Sequence, residues 1–195
     1  MYQLEQLREE YSKLTTQVAE EHRRVFELLD MEELKRAIEA IEAAPNIFVY
    51  AAGREGISLR AFAMRLAHLG KTVHWVMDDT AIGIRPGDLY ITSEGHGAVG
   101  SFTYYLEKVK AAGGKIMTFH GNPDGAHIKE FSDYPVFVRA TAYLTNRTDT
   151  VPTVQMMGNQ YEQHLYMLCD VIIMLVTRDL GLTYDDLEAR HRNVE

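Results

Sequence analysis

One cysteine in 195 residues is the scarcest resource of this chain. It excludes an intramolecular disulfide and a cysteine-rich zinc site. The setting of Cys169, Leu-Cys-Asp-Val-Ile-Ile-Met-Leu, predicts a small buried apolar residue and not a nucleophile. Basic charge is short as well: 20 Lys and Arg against 28 Asp and Glu give a net charge of -8. A nucleic-acid binder needs a basic stripe to displace counterions from phosphates, so no nucleic-acid partner is expected. No apolar run reaches membrane-spanning length, and the start has no basic segment followed by an apolar one. That predicts a cytoplasmic chain with no membrane partner. Repeats and low-complexity segments are missing, and 46% apolar with 25% charged residues is the composition of a folded domain.

What is present is periodicity. Leu4, Leu7, Tyr11, Leu14, Val18, Val25 and Leu28 fall on two interleaved seven-residue series, interrupted by Glu21. They predict an amphipathic first helix whose narrow seam packs on another helix of the domain or of a second subunit. Asp30 with Glu33 resembles a capping box for a second helix, which carries Leu34, Ala37, Ile38 and Ile41 and stops at Pro45. Beyond it, residues 47–50, 72–77, 89–92, 115–119 and 136–139 read as short apolar strands, with a turn at 53–56 and helices at 57–69, 101–112 and 126–131. Such strands, separated by helices or loops, predict an α/β fold with a parallel sheet covered on both faces. A loop over 141–154 precedes a long apolar helix over 154–176, and Thr183 with Asp186 caps a last short one. The expected organisation is a single domain over 1–195, with an N-terminal helical arm (1–44) and C-terminal helices (154–195).

In such folds ligands sit beyond the carboxyl ends of the strands, where the glycine-rich loops 51–56 and 92–100 fall. A strand running into a glycine-rich loop that opens a helix is the build of an anion cradle, because backbone N–H groups there carry positive partial charge. Yet Glu94 and His96 occupy it. A carboxylate in that place repels a phosphate, brings in a cation or does proton chemistry. The other loop holds Gly53, Arg54, Glu55 and Gly56, which is neither a dinucleotide fingerprint nor a P-loop, and no cofactor is expected. Glu162 is an acid inside an apolar segment, on one helical face with Gly158 and Leu165. It must be paired, exposed or functional, since lone burial of a carboxylate costs several kcal/mol. Of the eight histidines, His22, His74 and His127 read as surface or half-buried residues, His68 as a packed residue and His191 as solvated; His96, inside the second glycine-rich loop, is the better functional candidate.

Taken together, Ala51-Ala52-Gly53-Arg54-Glu55-Gly56 and Ala61-Phe62-Ala63-Met64-Arg65-Leu66-Ala67-His68-Leu69-Gly70 resemble the Gly-x-Gly-Arg-Ser-Gly loop and the AFAMRLxHLG helix of the 6-phospho-3-hexuloisomerases, members of the sugar isomerase (SIS) domain family. Residues 91–97 lie where that family has Ile-Ser-x-Ser-Gly-x-Thr. Met157-Gly158-Asn159-Gln160-Tyr161-Glu162 is similar to its Met-Gly-Thr-x-Phe-Glu, and Arg190-His191-Arg192-Asn193-Val194-Glu195 to its Arg-His-Ala-Asn-Leu-Glu terminus. The motifs come in order and cover nearly the whole chain.

The resemblance implies a five-stranded parallel sheet flanked by helices, a flavodoxin-like three-layer sandwich with extra terminal helices. It implies a homodimer or homotetramer with sites between subunits, and aldose-ketose isomerisation of a sugar or sugar phosphate through an enediolate; no metal is assigned to the site. Glu162 then carries a proton between neighbouring carbons. His191, and with it His68, opens the sugar ring or shuttles hydroxyl protons, and Arg54 binds substrate oxygens and stabilises developing charge. The implied substrate-binding set is Gly53, Arg54, Glu55, Thr92, Ser93, Glu94, Gly95, His96 and Ser101.

The departures from the family pattern fall on the phosphate site. The loop-one Ser is Glu55 here, the second Ser of the other loop is Glu94, and its Thr is Gly97. Thr92 keeps a hydroxyl, with Ser93 beside it and Ser101 as a substitute from the next helix. Two carboxylates near a phosphate dianion cost several kcal/mol in a partly desolvated site, so altered substrate anchoring is expected. Two alternatives follow from the same residues. One is a sugar-binding SIS module without turnover; the other is a metal-dependent variant with Glu55, Glu94, His96 and His164 or His191 around a divalent ion.

Overall fold

Residue alternation along the strands decides the architecture of the computed structural model, which describes residues 2–194. Glu195, the last residue of the terminal motif, lies outside them. The strands are β1 (Ile47–Val49), β2 (Val73–Trp75), β3 (Leu89–Glu94), β4 (Lys115–His120) and β5 (Tyr134–Phe137), all parallel in the order β2-β1-β3-β4-β5. Because successive side chains in a strand point to opposite faces, Ile47, Val49, Leu89, Ile91, Met117 and Phe119 enter one core, while Phe48, Tyr90 and Ile116 enter the other.

The first core packs against α2 (Met31–Ala43), α3 (Gly53–His68) and α6 (Asn159–Asp179); the second packs against α4 (Thr103–Ala111) and α5 (Ala126–Phe131). This is the expected three-layer α/β sandwich. A short α7 (Tyr184–Glu188) closes the chain, capped by Thr183 and Asp186 as the sequence indicates. Among the described residues no helix is long and apolar enough to cross a membrane.

Several boundaries differ from the sequence reading, each for a local reason. The segment 53–56 is no free turn but the first turn of α3. The long helix begins at Asn159 and not at 154, because Met157 and Gly158 both hold positive φ, 60° and 79°, which α-helical hydrogen bonding does not accommodate. The Asp30 cap is present, with its carboxylate accepting the Glu32 and Glu33 N–H groups. Glu33 does not complete the box; it accepts the Phe137 N–H at 2.8 Å and ties α2 to β5.

The helix α1 (Leu4–Glu27) packs on α6 through its second half only. Val25 is buried, whereas Leu4, Leu7, Tyr11 and Leu14 are exposed. Glu21, the interruption in the seam, is buried and useful: it accepts the Thr153 hydroxyl at 2.6 Å and the Val154 N–H at 3.0 Å, fixing the loop that leads into α6.

Candidate functional site

The sheet order places a reversal between β1 and β3, where their following segments diverge to opposite sides. In open α/β sheets that crevice, beyond the carboxyl ends of the strands, is where ligands bind. Here it is built from the start of α3 and the end of β3. Gly53, at φ +57°, turns the chain out of β1, and Gly56 sits so close to the strand that a Cβ would lie 2.4 Å from the Ala51 carbonyl oxygen. Arg54 and Glu55 are thereby held rigidly in the first turn of α3.

The strand β3 runs to Glu94, two residues beyond the predicted end, and its alternation separates the two unexpected carboxylates. Ser93 faces α3 and α6. Its hydroxyl donates to Glu55 Oε2 at 2.6 Å and lies 2.9 Å from the Tyr161 hydroxyl, and the Gly95 N–H donates to Glu55 Oε1 at 3.2 Å. A Cβ on Gly95 would sit 3.1 Å from that same oxygen, so glycine lets the carboxyl reach the amide. Burial pushes the Glu55 carboxyl up to about 7, against the hydrogen bonds from Ser93 and Gly95 that lower it.

Glu94 points the other way, into the face covered by α4 and α5. Its Oε2 accepts the Val99 N–H at 2.9 Å and lies 2.8 Å from His127 Nδ1, while His127 Nε2 meets the Thr103 hydroxyl at 3.0 Å. Its Oε1 has no hydrogen-bond partner among the described residues. Three donors of the loop, the Ser93 hydroxyl and the Gly95 and Val99 N–H groups, are therefore engaged by the protein's own carboxyl groups, Glu55 from one side of β3 and Glu94 from the other. Thr92 is buried on the Glu94 side, Ser101 is exposed on the 3-10 turn before α4, and the His96 carbonyl accepts an Asn122 amide hydrogen at 3.0 Å.

At the N-terminus of α6, Glu162 Oε2 is 2.5 Å from Arg54 Nε, with side chains 17% and 58% exposed. Ser58 Oγ donates to the Glu162 carbonyl at 3.2 Å. This ion pair lines a cavity of about 490 Å3 together with Ile57, Ser58, His22 and Gln163. An ionised carboxylate beside a guanidinium, open to a cavity on one side, can take a proton from a bound carbon acid while the cation receives the charge that develops.

His22 corrects the sequence reading. Expected at the surface or half-buried, it is 7% exposed and turned into this cavity, because α1 presents residues 18, 22 and 25 to α6. His127 is likewise buried, held by Glu94 and Thr103. The signal for His22 was its place one turn after Val18 and three residues before Val25, on the face that packs.

His68 and His191 come together, with ring centroids 5.1 Å apart, and line a different cavity of about 620 Å3. Arg190 Nη1 donates to the His68 carbonyl at 3.2 Å. They lie at the opposite end of α3 from Arg54, ~20 Å away by the rise of an α-helix. One chain thus joins Glu162 to Arg54 but not to His191. The supposed metal set is not assembled either: no group of three or more His, Cys, Asp or Glu placed to hold a metal occurs among the described residues, and His164 pairs with His22 instead.

No family model matches the chain. A 3-hexulose-6-phosphate isomerase from Mycobacterium gastri is 31% identical over 86% of this chain and 82% of its own. That of Bacillus subtilis is 28% identical over 84% and 88%. Among solved structures, a Methanococcus jannaschii protein whose crystal structure was read as inferring a 3-hexulose-6-phosphate isomerase function superposes with a TM-score of 0.80 at 25% identity, over 93% of this chain and 98% of that one.

Proposed function

Because the chain belongs to the 3-hexulose-6-phosphate isomerase family, within the sugar isomerase (SIS) fold, we propose that it moves the carbonyl of a sugar phosphate to the neighbouring carbon through an enediolate, the chemistry of aldose-ketose isomerisation. The Arg54–Glu162 contact at 2.5 Å beside an open cavity carries this reading. Glu162 removes the proton from the carbon next to the carbonyl, the C–H pair becomes the C=C bond of the enediolate, and the same carboxyl returns the proton to the other carbon. Arg54 shifts from the carboxylate to the oxygen that gains negative charge.

Substrate anchoring is altered in this reading. Gly53, Glu55, His96 and Ser101 form the rim, while the buried Thr92, Ser93, Glu94 and Gly95 shape the loop from beneath. The phosphate meets a Glu55 carboxyl that burial pushes up to about 7, so that it is neutral part of the time near pH 7 and repels the phosphate less than a fully ionised acid.

The chain acts as one domain over 1–195 in a homodimer or homotetramer. Two observations support assembly. The first half of α1 exposes Leu4, Leu7, Tyr11 and Leu14, and His191 with His68 reaches a Glu162 only if supplied by a second copy. In that assembly the two histidines open or close the ring of the cyclic 2-ketose partner in the equilibrium. Binding without turnover is the competing reading, favoured by the occupied donors of the loop. Incubation with 3-hexulose 6-phosphate separates the two: appearance of the isomer supports catalysis, and saturable binding with no product supports the binding module.

A further inference from the structure

We propose that His22 is a further catalytic residue, the group that passes the hydroxyl proton between the two substrate oxygens while Glu162 handles the carbon-bound one. The inference rests on the isomerase reading above. Its basis is a placement that the family resemblance does not touch: a buried imidazole from the N-terminal arm, lining the same cavity as Arg54, Ser58 and Glu162.

The ring is fixed at both nitrogens. Nε2 lies 3.3 Å from Gln163 Oε1, and Nδ1 lies 3.3 Å from His164 Nδ1, with the two rings stacked at 16° and Phe26 against the second. An amide oxygen only accepts, so Nε2 of His22 carries hydrogen. In the Nε2–H tautomer, Nδ1 of His22 accepts a hydrogen bond, and His164 donates it from its own Nδ1. Burial first, then the neighbouring His22, holds His164 down to about 3, so it is a neutral imidazole with one hydrogen to give. Its Nε2 has no hydrogen-bond partner among the described residues, as follows if that nitrogen is the bare one. These contacts are those of the Nε2–H tautomer of His22, whose side chain lines the cavity beside Gln163.

Isomerisation through an enediolate needs such a group. When the carbonyl carbon's neighbour loses its proton to Glu162, the former carbonyl oxygen must gain a proton and the adjacent hydroxyl must lose one. Nε2 gives its hydrogen to the first oxygen and takes one from the second, so the ring ends the turnover as it began and no further reagent is consumed. A neutral imidazole is suited to this step, because it donates without first having to be charged. A purely structural pair, joining α1 to α6, would use the same contacts but would not care whether the ring exchanges protons.

The test uses the full-length chain and 3-hexulose 6-phosphate, with thermal unfolding recorded alongside kinetics. His22→Gln keeps size and a donor toward Gln163 but cannot cycle a proton, and kcat should fall about 100-fold with KM within about threefold. His22→Ala should fall similarly and recover about tenfold or more on addition of imidazole. A kcat for His22→Gln within threefold of the unsubstituted chain overturns the assignment, as does a folded His22→Ala that imidazole does not rescue. If the unsubstituted chain gives no isomer, the isomerase reading falls and takes His22 with it; if it turns over alongside an unimpaired His22→Gln, only the role of His22 falls.

Discussion

Ser93 donates its hydroxyl to Glu55 at 2.6 Å, so the strand-end loop that would cradle an anion is already bound to the first turn of α3. The Gly95 N–H makes the second contact to the same carboxyl. Replacing that internal acceptor with a neutral hydroxyl frees both donors and removes one negative charge from the rim. Glu55→Ser should lower KM for a sugar phosphate by about tenfold, equivalent to ~1.4 kcal/mol, and steady-state kinetics at pH 8 check it. A higher KM would show that Glu55 itself holds the substrate.

The same carboxyl gives the fold a pH signature. Native Glu55 takes up its proton near pH 7, whereas its ordinary value is 4.5. Between those values the native state binds more protons than the unfolded one, so this group's contribution to stability falls as pH rises from about 5 to about 7 and then levels. The full shift corresponds to roughly 3 kcal/mol as an upper bound. Urea unfolding at pH 5 and pH 8 should show a smaller loss of stability in Glu55→Gln than in the unsubstituted chain.

Glu94 has a different task. Fully buried, it serves the N–H of the half-buried Val99 and the buried His127, so Glu94→Ala leaves both partners unanswered. The expected loss is about 2–4 kcal/mol, read as a lower denaturant midpoint with an unchanged slope. A loss under 0.5 kcal/mol, on the scale of an ordinary surface change, would mean that the contacts add nothing.

Assembly is tested at the exposed seam of α1. Leu7→Lys with Leu14→Lys puts two charges into an apolar contact and should shift the molecular mass by light scattering toward the monomer, with little change in helical content. An unchanged mass would place the interface elsewhere.

The sequence and the structure agree best where the signal is local. The helix over 126–131 and the Thr183–Asp186 cap are found where the residues put them, because each depends on neighbours a few positions away. Register-dependent features were less visible. Glu55 and Glu94 read as one pair of intruding acids; strand alternation sends them to opposite faces of β3, and the needed fact was that β3 continues to Glu94. The start of α6 depended on positive φ at Met157, a β-region or helical residue by default. His22 was hidden because its meaning comes from α6, 142 residues away at His164. The motif resemblance supplied Arg54 and Glu162 together, and a single chain joins them; it also supplied His191, which a single chain leaves at the far end of α3.

The central claim is that Glu162 moves a carbon-bound proton. In D2O, NMR of 3-hexulose 6-phosphate should show deuterium entering the carbon next to the carbonyl as the isomer forms, and Glu162→Gln should abolish both while thermal unfolding stays close to that of the unsubstituted chain. Exchange and product formation that persist in Glu162→Gln at the original rate would contradict the account.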